Sequence, residues 1–116
     1  MSKNKKIGDW GEEKAAEYLV ERGYKIVDRN YRYSRGEIDI IALKANLLIF
    51  IEVKTRSNIS YGYPEDFVDD KKAEWVYKVA DQYVHEIDWQ GGIRFDVISI
   101  LKNPSVEIRH FEDAFH

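Results

Sequence analysis

Apolar side chains recur along the chain with two periods, and the change from one to the other marks the elements. Ala15, Ala16, Leu19 and Val20 lie three to four apart within Glu12–Glu21, which predicts a helix capped by Asp9 and ended by Gly23. Tyr24-Lys25-Ile26-Val27 reads as a short strand, and Asp28–Arg35 as a loop or an irregular edge. Glu37–Leu43, the turn Lys44-Ala45-Asn46 and Leu47–Lys54 make a hairpin. Its return strand is apolar on both parities until Glu52, the mark of a strand covered on both faces. Ser57–Pro64 has loop composition. Asp69 or Asp70 then caps a long helix with Ala73, Val76, Tyr77, Ala80, Val84 and Ile87 on one face. Ile93–Leu101 is a strand, Asn103-Pro104 a turn, and Val106–Phe111 an alternating edge strand. This order gives an α/β fold of two or three layers, without internal repeats.

Composition narrows the class. The 116 residues, 44% hydrophobic and 34% charged, suit one domain over 1–116, with 1–7 as a flexible lead. The absence of cysteine excludes disulfides, thiolate catalysis, iron–sulfur clusters and Cys-containing zinc sites. His85, His110 and His116 are far apart and form no metal-binding spacing. No apolar run approaches the roughly 20 residues needed to cross a bilayer, and the basic start is followed by polar residues, unlike a signal peptide. A cytoplasmic protein without membrane partners is the expectation.

The formal net charge of −3 counts against a simple binder of nucleic acid backbones. The charge is uneven, however. Arg22, Lys25, Arg29, Arg32 and Arg35 face one acid, Asp28, within residues 22–35, and such a focus can attract an acidic molecule. A plain solvated surface explains the same residues without any partner.

Candidate chemistry lies in the hairpin. Asp39 stands among Ile38, Ile40 and Ile41, where a carboxylate is costly unless paired, metal-bound or wet. Glu52 and Lys54 share a strand face, and the hairpin sets Asp39 near Ile51 or Glu52. Two carboxylates and an ammonium on one face suit a hard cation of the magnesium type, which would bind a phosphate and activate a water. A cross-strand salt bridge is the alternative. Glu12 shares the inward stripe of the first helix and wants a partner there, although an acid in a first helical turn is also ordinary.

The whole pattern resembles a known family. Gly11-Glu12…Ala15-Ala16…Leu19, Gly23-Tyr24, Arg29-Asn30, Arg32, Gly36-Glu37-Ile38-Asp39-Ile40-Ile41-Ala42 and Phe50-Ile51-Glu52-Val53-Lys54-Thr55-Arg56 resemble the uncharacterised bacterial YraN-like family, UPF0102. The match continues through Tyr61-Gly62, Pro64, Val68, Lys71-Lys72 and Arg94-Phe95-Asp96-Val97. That family resembles the PD-(D/E)xK nuclease superfamily, including Holliday-junction resolvases. The resemblance implies a restriction-endonuclease-like core, a mixed central sheet flanked by helices. It also implies a magnesium-dependent nuclease acting on DNA in preference to RNA, with manganese as a substitute cation. Structure-specific action and a homodimer are further options.

By that resemblance Asp39, Glu52, Glu12 and the main-chain carbonyl of Val53 would be metal ligands, and Lys54 would complete the catalytic set. Arg32, Arg35, Arg56 and Lys72 are candidates to touch phosphate. The superfamily Asp often follows Pro, whereas Glu37-Ile38 precedes Asp39 here. Glu37 is open to ligation or to pairing with Arg35 or Arg56. Tyr31, Tyr33, Tyr61 and Tyr63 suit packing first and base stacking second. Trp75, if exposed, would mark a dimer surface. Asp96 is expected to be structural, bonded to backbone or arginine. The alternatives to a nuclease are a nucleic-acid-binding protein with the fold but little activity, and a partner-binding protein using the acidic C-terminal half.

Overall fold

The first helix, α1 (Lys3–Glu21), begins earlier than its apolar stripe suggests, so Asp9 lies inside it and caps nothing. The structure, a computed structural model, describes residues 3–57 and 70–115. After α1 come β1 (Lys25–Tyr33), β2 (Gly36–Lys44), β3 (Leu47–Arg56), α2 (Asp70–Ile87), β4 (Gly92–Leu101) and β5 (Glu107–Phe111). One sheet has the order β1-β2-β3-β4-β5. Its neighbours are antiparallel except β3 and β4, which run parallel across the connection containing α2. The expected mixed sheet flanked by helices is therefore the architecture found.

Each helix buries one face of the sheet. Ala15, Ala16 and Leu19 of α1 pack on Ile40, Ile49, Ile51, Ile98 and Ile100. Ala73, Val76, Val79, Ala80 and Tyr83 of α2 pack on Ile38, Ile41, Leu48, Phe50 and Val97. β3 is thus covered on both sides, as its unbroken apolar run predicts. The α1 stripe is narrower than expected, because Val20 is exposed. On α2 the buried face is turned: Val79 and Tyr83 are inside, Ile87 is exposed, and Tyr77 lies at the edge with its ring against Phe95.

Local chemistry fixes the ends and the approach of α1. Gly23 at φ 89° ends α1, with Tyr24 N–H bonding to Leu19 C=O and Gly23 N–H to Val20 C=O, a Schellman closure. At Gly11 a β-carbon would overlap the Thr55 side chain, so glycine lets α1 approach β3 closely there.

The stretch expected to be a loop or irregular edge, Asp28–Arg35, mostly belongs to β1. It is an edge strand with a register shift between Ile26 and Asp28 and with Asn30 at φ 52°. The Ser57–Pro64 loop beyond its first residue, the Asp69 cap, Tyr61, Tyr63, Gly62, Pro64, Val68 and His116 lie outside the described residues. No described helix is long and apolar enough to cross a membrane.

Candidate functional site

β3 alternates its side chains between the two helical layers. Leu48 and Phe50 lie on the α2 side, and Ile49, Ile51 and Val53 on the α1 side. Glu52 and Lys54 therefore project toward α2. Glu52 is 9% exposed, and Lys54 is half-buried.

The hairpin register brings Asp39 and Glu52 to the end of one ladder. β2 and β3 pair from Lys44↔Leu47 to Ile40↔Ile51, around the turn Ala45-Asn46 with Ala45 at φ 54°. Asp39 and Glu52 follow the last pair, Ile40↔Ile51, one on each strand. The regular ladder stops there. Ile38 and Ile41 both belong to the α2-side core, whereas Ile40 and Ala42 belong to the other, so β2 takes three residues to regain one face. Asn30 of β1, in the left-handed conformation, lies between the pairs Arg29↔Ile40 and Tyr31↔Ile38, opposite this break. Such irregularities re-aim side chains. Here the Val53 N–H donates to Asp39 Oδ2 at 2.8 Å, so the carboxylate satisfies an amide beyond the end of the ladder.

The surroundings are electrostatically strained. Burial, then the neighbouring Glu52, push the Asp39 carboxyl up to about 8 from 3.8, with Glu12 and Glu37 pushing the same way and the Val53 N–H opposing. Glu12 is itself raised, chiefly by burial, against a hydrogen bond from Asn30 and the charge of Arg29. Lys72 Nζ stands 2.8 Å from Glu52 Oε1, bringing one positive charge from α2 into the acidic group.

A cleft of about 250 Å³ opens over these residues, lined by Arg35, Gly36, Glu37, Asp39, Glu52, Lys72, Trp75 and Val76. Lys72, Trp75 and Val76 share one face of α2 by their spacing of three and four. Gly36 sets how close that helix comes, since a β-carbon there would overlap Val79 and stand 3.0 Å from the Trp75 carbonyl oxygen.

The expected residues thus divide. Asp39, Glu52, Lys72 and Arg35 line the cleft, and Glu12 reaches Asp39 electrostatically from the α1 side. Lys54 shares the face of Glu52 one residue pair further along β3. Arg32 donates from Nε to Glu37 Oε2 at 2.8 Å, so Glu37 pairs with Arg32 rather than with Arg35 or Arg56. Arg56 is exposed and donates to the Thr55 carbonyl. Trp75 and Gly36 are cleft residues that sequence reasoning missed, and the i,i+3 spacing of Trp75 from Lys72 was the available signal. Tyr31 packs against Tyr83, with ring centroids 4.9 Å apart, and burial pushes its hydroxyl up to about 12. Asp96 is structural as expected: fully buried, it accepts from Arg94 and from the Asp113 N–H, and it also meets His110 Nε2 at 2.7 Å.

Among the described residues, no three histidine or acidic groups close into a ready-made cation cage. The donor chemistry nonetheless fits a hard cation. Two carboxylates on adjacent strands line one cleft, and burial first and the charge of Glu52 second raise the Asp39 carboxyl, both of which a bound cation would offset. A cation held there would draw its remaining ligands from water or substrate.

The model of the uncharacterised protein family UPF0102 matches residues 11–100. A UPF0102 protein of Flavobacterium psychrophilum is 42% identical over 117 residues, covering 100% of this chain and 98% of that protein. One from Christiangramia forsetii is 44% identical over 116 residues, covering 99% and 98%. One from Alkaliphilus oremlandii is 45% identical over 118 residues, covering 97% and 99%. Among solved structures, Pyrococcus furiosus SfsA in complex with Ca2+ is 17% identical with a TM-score of 0.38, covering 90% of this chain and 64% of that one.

Proposed function

The chain belongs to the uncharacterised protein family UPF0102, and from the site it carries we propose that it is a magnesium-dependent nuclease hydrolysing phosphodiester bonds in DNA. The observation that carries this reading is that Asp39 and Glu52, each just past the last pair of the β2–β3 ladder, line one cleft of phosphate-accommodating size. Asp39 and Glu52 would hold the cation, with Glu12 and the main-chain carbonyl of Val53 completing the protein's share. Bound there, magnesium supplies Lewis acidity and a water of lowered pKa.

The chain's own groups perform the remaining tasks. The Val53 N–H fixes the orientation of Asp39. Lys54, on the Glu52 face, offers an ammonium for charge that develops on phosphate oxygens. Lys72 holds Glu52 and can move to a phosphate when a cation takes its place. Arg35, and Arg32 through its exposed side chain, can contact the backbone without reading its sequence. Arg56, exposed at the end of β3, can do the same for a longer substrate.

The test is cleavage of labelled duplex, flap, single-stranded and four-way DNA with magnesium or manganese, using wild type, Asp39→Asn, Glu52→Gln and Lys54→Ala. Cleavage should require the metal, be abolished in the two carboxylate variants and fall by roughly 10²–10³ in Lys54→Ala. A second reading, a nucleic-acid-binding protein with little activity, is favoured by the Lys72–Glu52 ion pair, which already places a cation on one proposed metal ligand. Binding of the same DNAs without cleavage by wild type would select it.

A further inference from the structure

A second hollow, of about 400 Å³, adjoins the acidic cleft, and Trp75 forms part of the wall of both. Its other lining residues are Tyr33, Ser34, Lys78, Asp81 and Gln82. We propose that this hollow receives an unpaired nucleobase beside the scissile phosphate, so that the protein selects DNA with unpaired nucleotides next to the cut. This rests on the nuclease reading, because it assigns the substrate class of the same cleft.

The composition of the hollow favours that occupant. Its volume lies in the usual range for small-molecule sites, roughly 300–1,000 Å³. Tyr33 is 44% exposed at the end of β1, and Trp75 is half-buried on α2, so two aromatic side chains border one space. Lys78 Nζ stands 4.5 Å from the Trp75 ring centroid, and the Arg35 guanidinium carbon 6.0 Å from it. Both cations are on long side chains. A base stacking on the ring can displace one of them, and the released charge then lies beside the phosphates that flank the base. Asp81 and Gln82 add polar groups at the rim, able to meet the amino and carbonyl edges that an unpaired base exposes. A paired base in a duplex keeps its face stacked and its edge engaged, and would gain little here.

The test is fluorescence anisotropy in EDTA, where metal and cleavage play no part. Labelled single-stranded, forked and blunt duplex DNA are titrated with wild type, Trp75→Ala and Trp75→Phe, and sedimentation velocity follows the state of each protein. Trp75→Ala should weaken binding to single-stranded and forked DNA about tenfold more than binding to the blunt duplex, while Trp75→Phe retains most of the affinity. An equal loss on all three DNAs, or none on any, overturns the inference and leaves the nuclease reading standing. A change of oligomeric state with unchanged DNA binding also overturns it, because a second copy then covers the hollow. If wild type binds none of the DNAs in EDTA, the titrations are repeated in calcium, and binding to none of them there as well sinks the nuclease reading and this inference with it.

Discussion

Replacing Asp39 by Asn should make the metal-free protein more stable, and increasingly so as pH rises. The Asn side-chain oxygen can still accept the Val53 N–H that Asp39 Oδ2 accepts at 2.8 Å, so the substitution removes charge while keeping shape and hydrogen bond. The folded Asp39 carboxyl is pushed up to about 8, by burial first and Glu52 second, against 3.8 for an unperturbed group. Between those values the folded state holds a proton that the unfolded state has released, so wild-type stability falls with rising pH across that window. At roughly 1.4 kcal/mol per pH unit, the interval sets a ceiling of about 6 kcal/mol. Ionisation shared with Glu52 and local relaxation reduce this, so a gain on the order of 2–4 kcal/mol is expected at pH 9 and a much smaller one at pH 5. Urea denaturation in EDTA at pH 5, 7 and 9 measures it. A variant less stable than wild type at pH 9, or a difference independent of pH, would refute the idea that Asp39 is a strained, unneutralised carboxylate.

Other residues give separate tests. Gly11→Ala should cost about 1–3 kcal/mol because its methyl overlaps Thr55, and adding Thr55→Ala should recover part of that loss in thermal unfolding, the Thr55 β-carbon remaining 2.9 Å away. Asp96→Asn should cost on the order of 3 kcal/mol, since it removes the buried charge partner of Arg94 and leaves only the exposed Glu112. Burial raises the Asp96 carboxyl, but His110, Arg94 and the Asp113 N–H outweigh it and hold it below the ordinary range. Its contribution is therefore present above the unfolded pKa of 3.8 and lost as pH falls through the folded value, a step that acid titration of Asp96→Asn should lack. Lys72→Ala should tighten manganese binding by a few fold, on the order of 0.5–1 kcal/mol, by removing a competing cation from a half-exposed pair, and should weaken DNA binding at the same time.

The sequence made most of this architecture legible where one physical signal dominated. The unbroken apolar run of β3 foretold its burial on both faces, and the period of two placed Glu52 and Lys54 together. Other features depended on contacts between distant segments. The early start of α1 was hidden because Gly8 and Gly11 look like helix breakers, yet Gly11 is there to admit Thr55. β1 was obscured by its charged, aromatic composition and by Asn30, whose left-handed backbone belongs to the break beside Asp39. On α2 the choice between Tyr77 and Tyr83 as the inward tyrosine could not come from hydrophobicity alone, since both fit a helical stripe. Asp39 was legible as a costly carboxylate, but its approach to Glu52 turned on one residue of turn length. The pairing of Lys72 with Glu52 required knowing where α2 crosses the sheet, which Gly36 permits.

Whether Asp39 and Glu52 form one metal site is tested most directly by calorimetry. Magnesium and manganese are titrated into wild type, Asp39→Asn and Glu52→Gln, first alone and then with DNA present to supply phosphate ligands. Saturable binding by wild type that disappears in both variants is the predicted result. Identical titrations for all three proteins, with and without DNA, would contradict it.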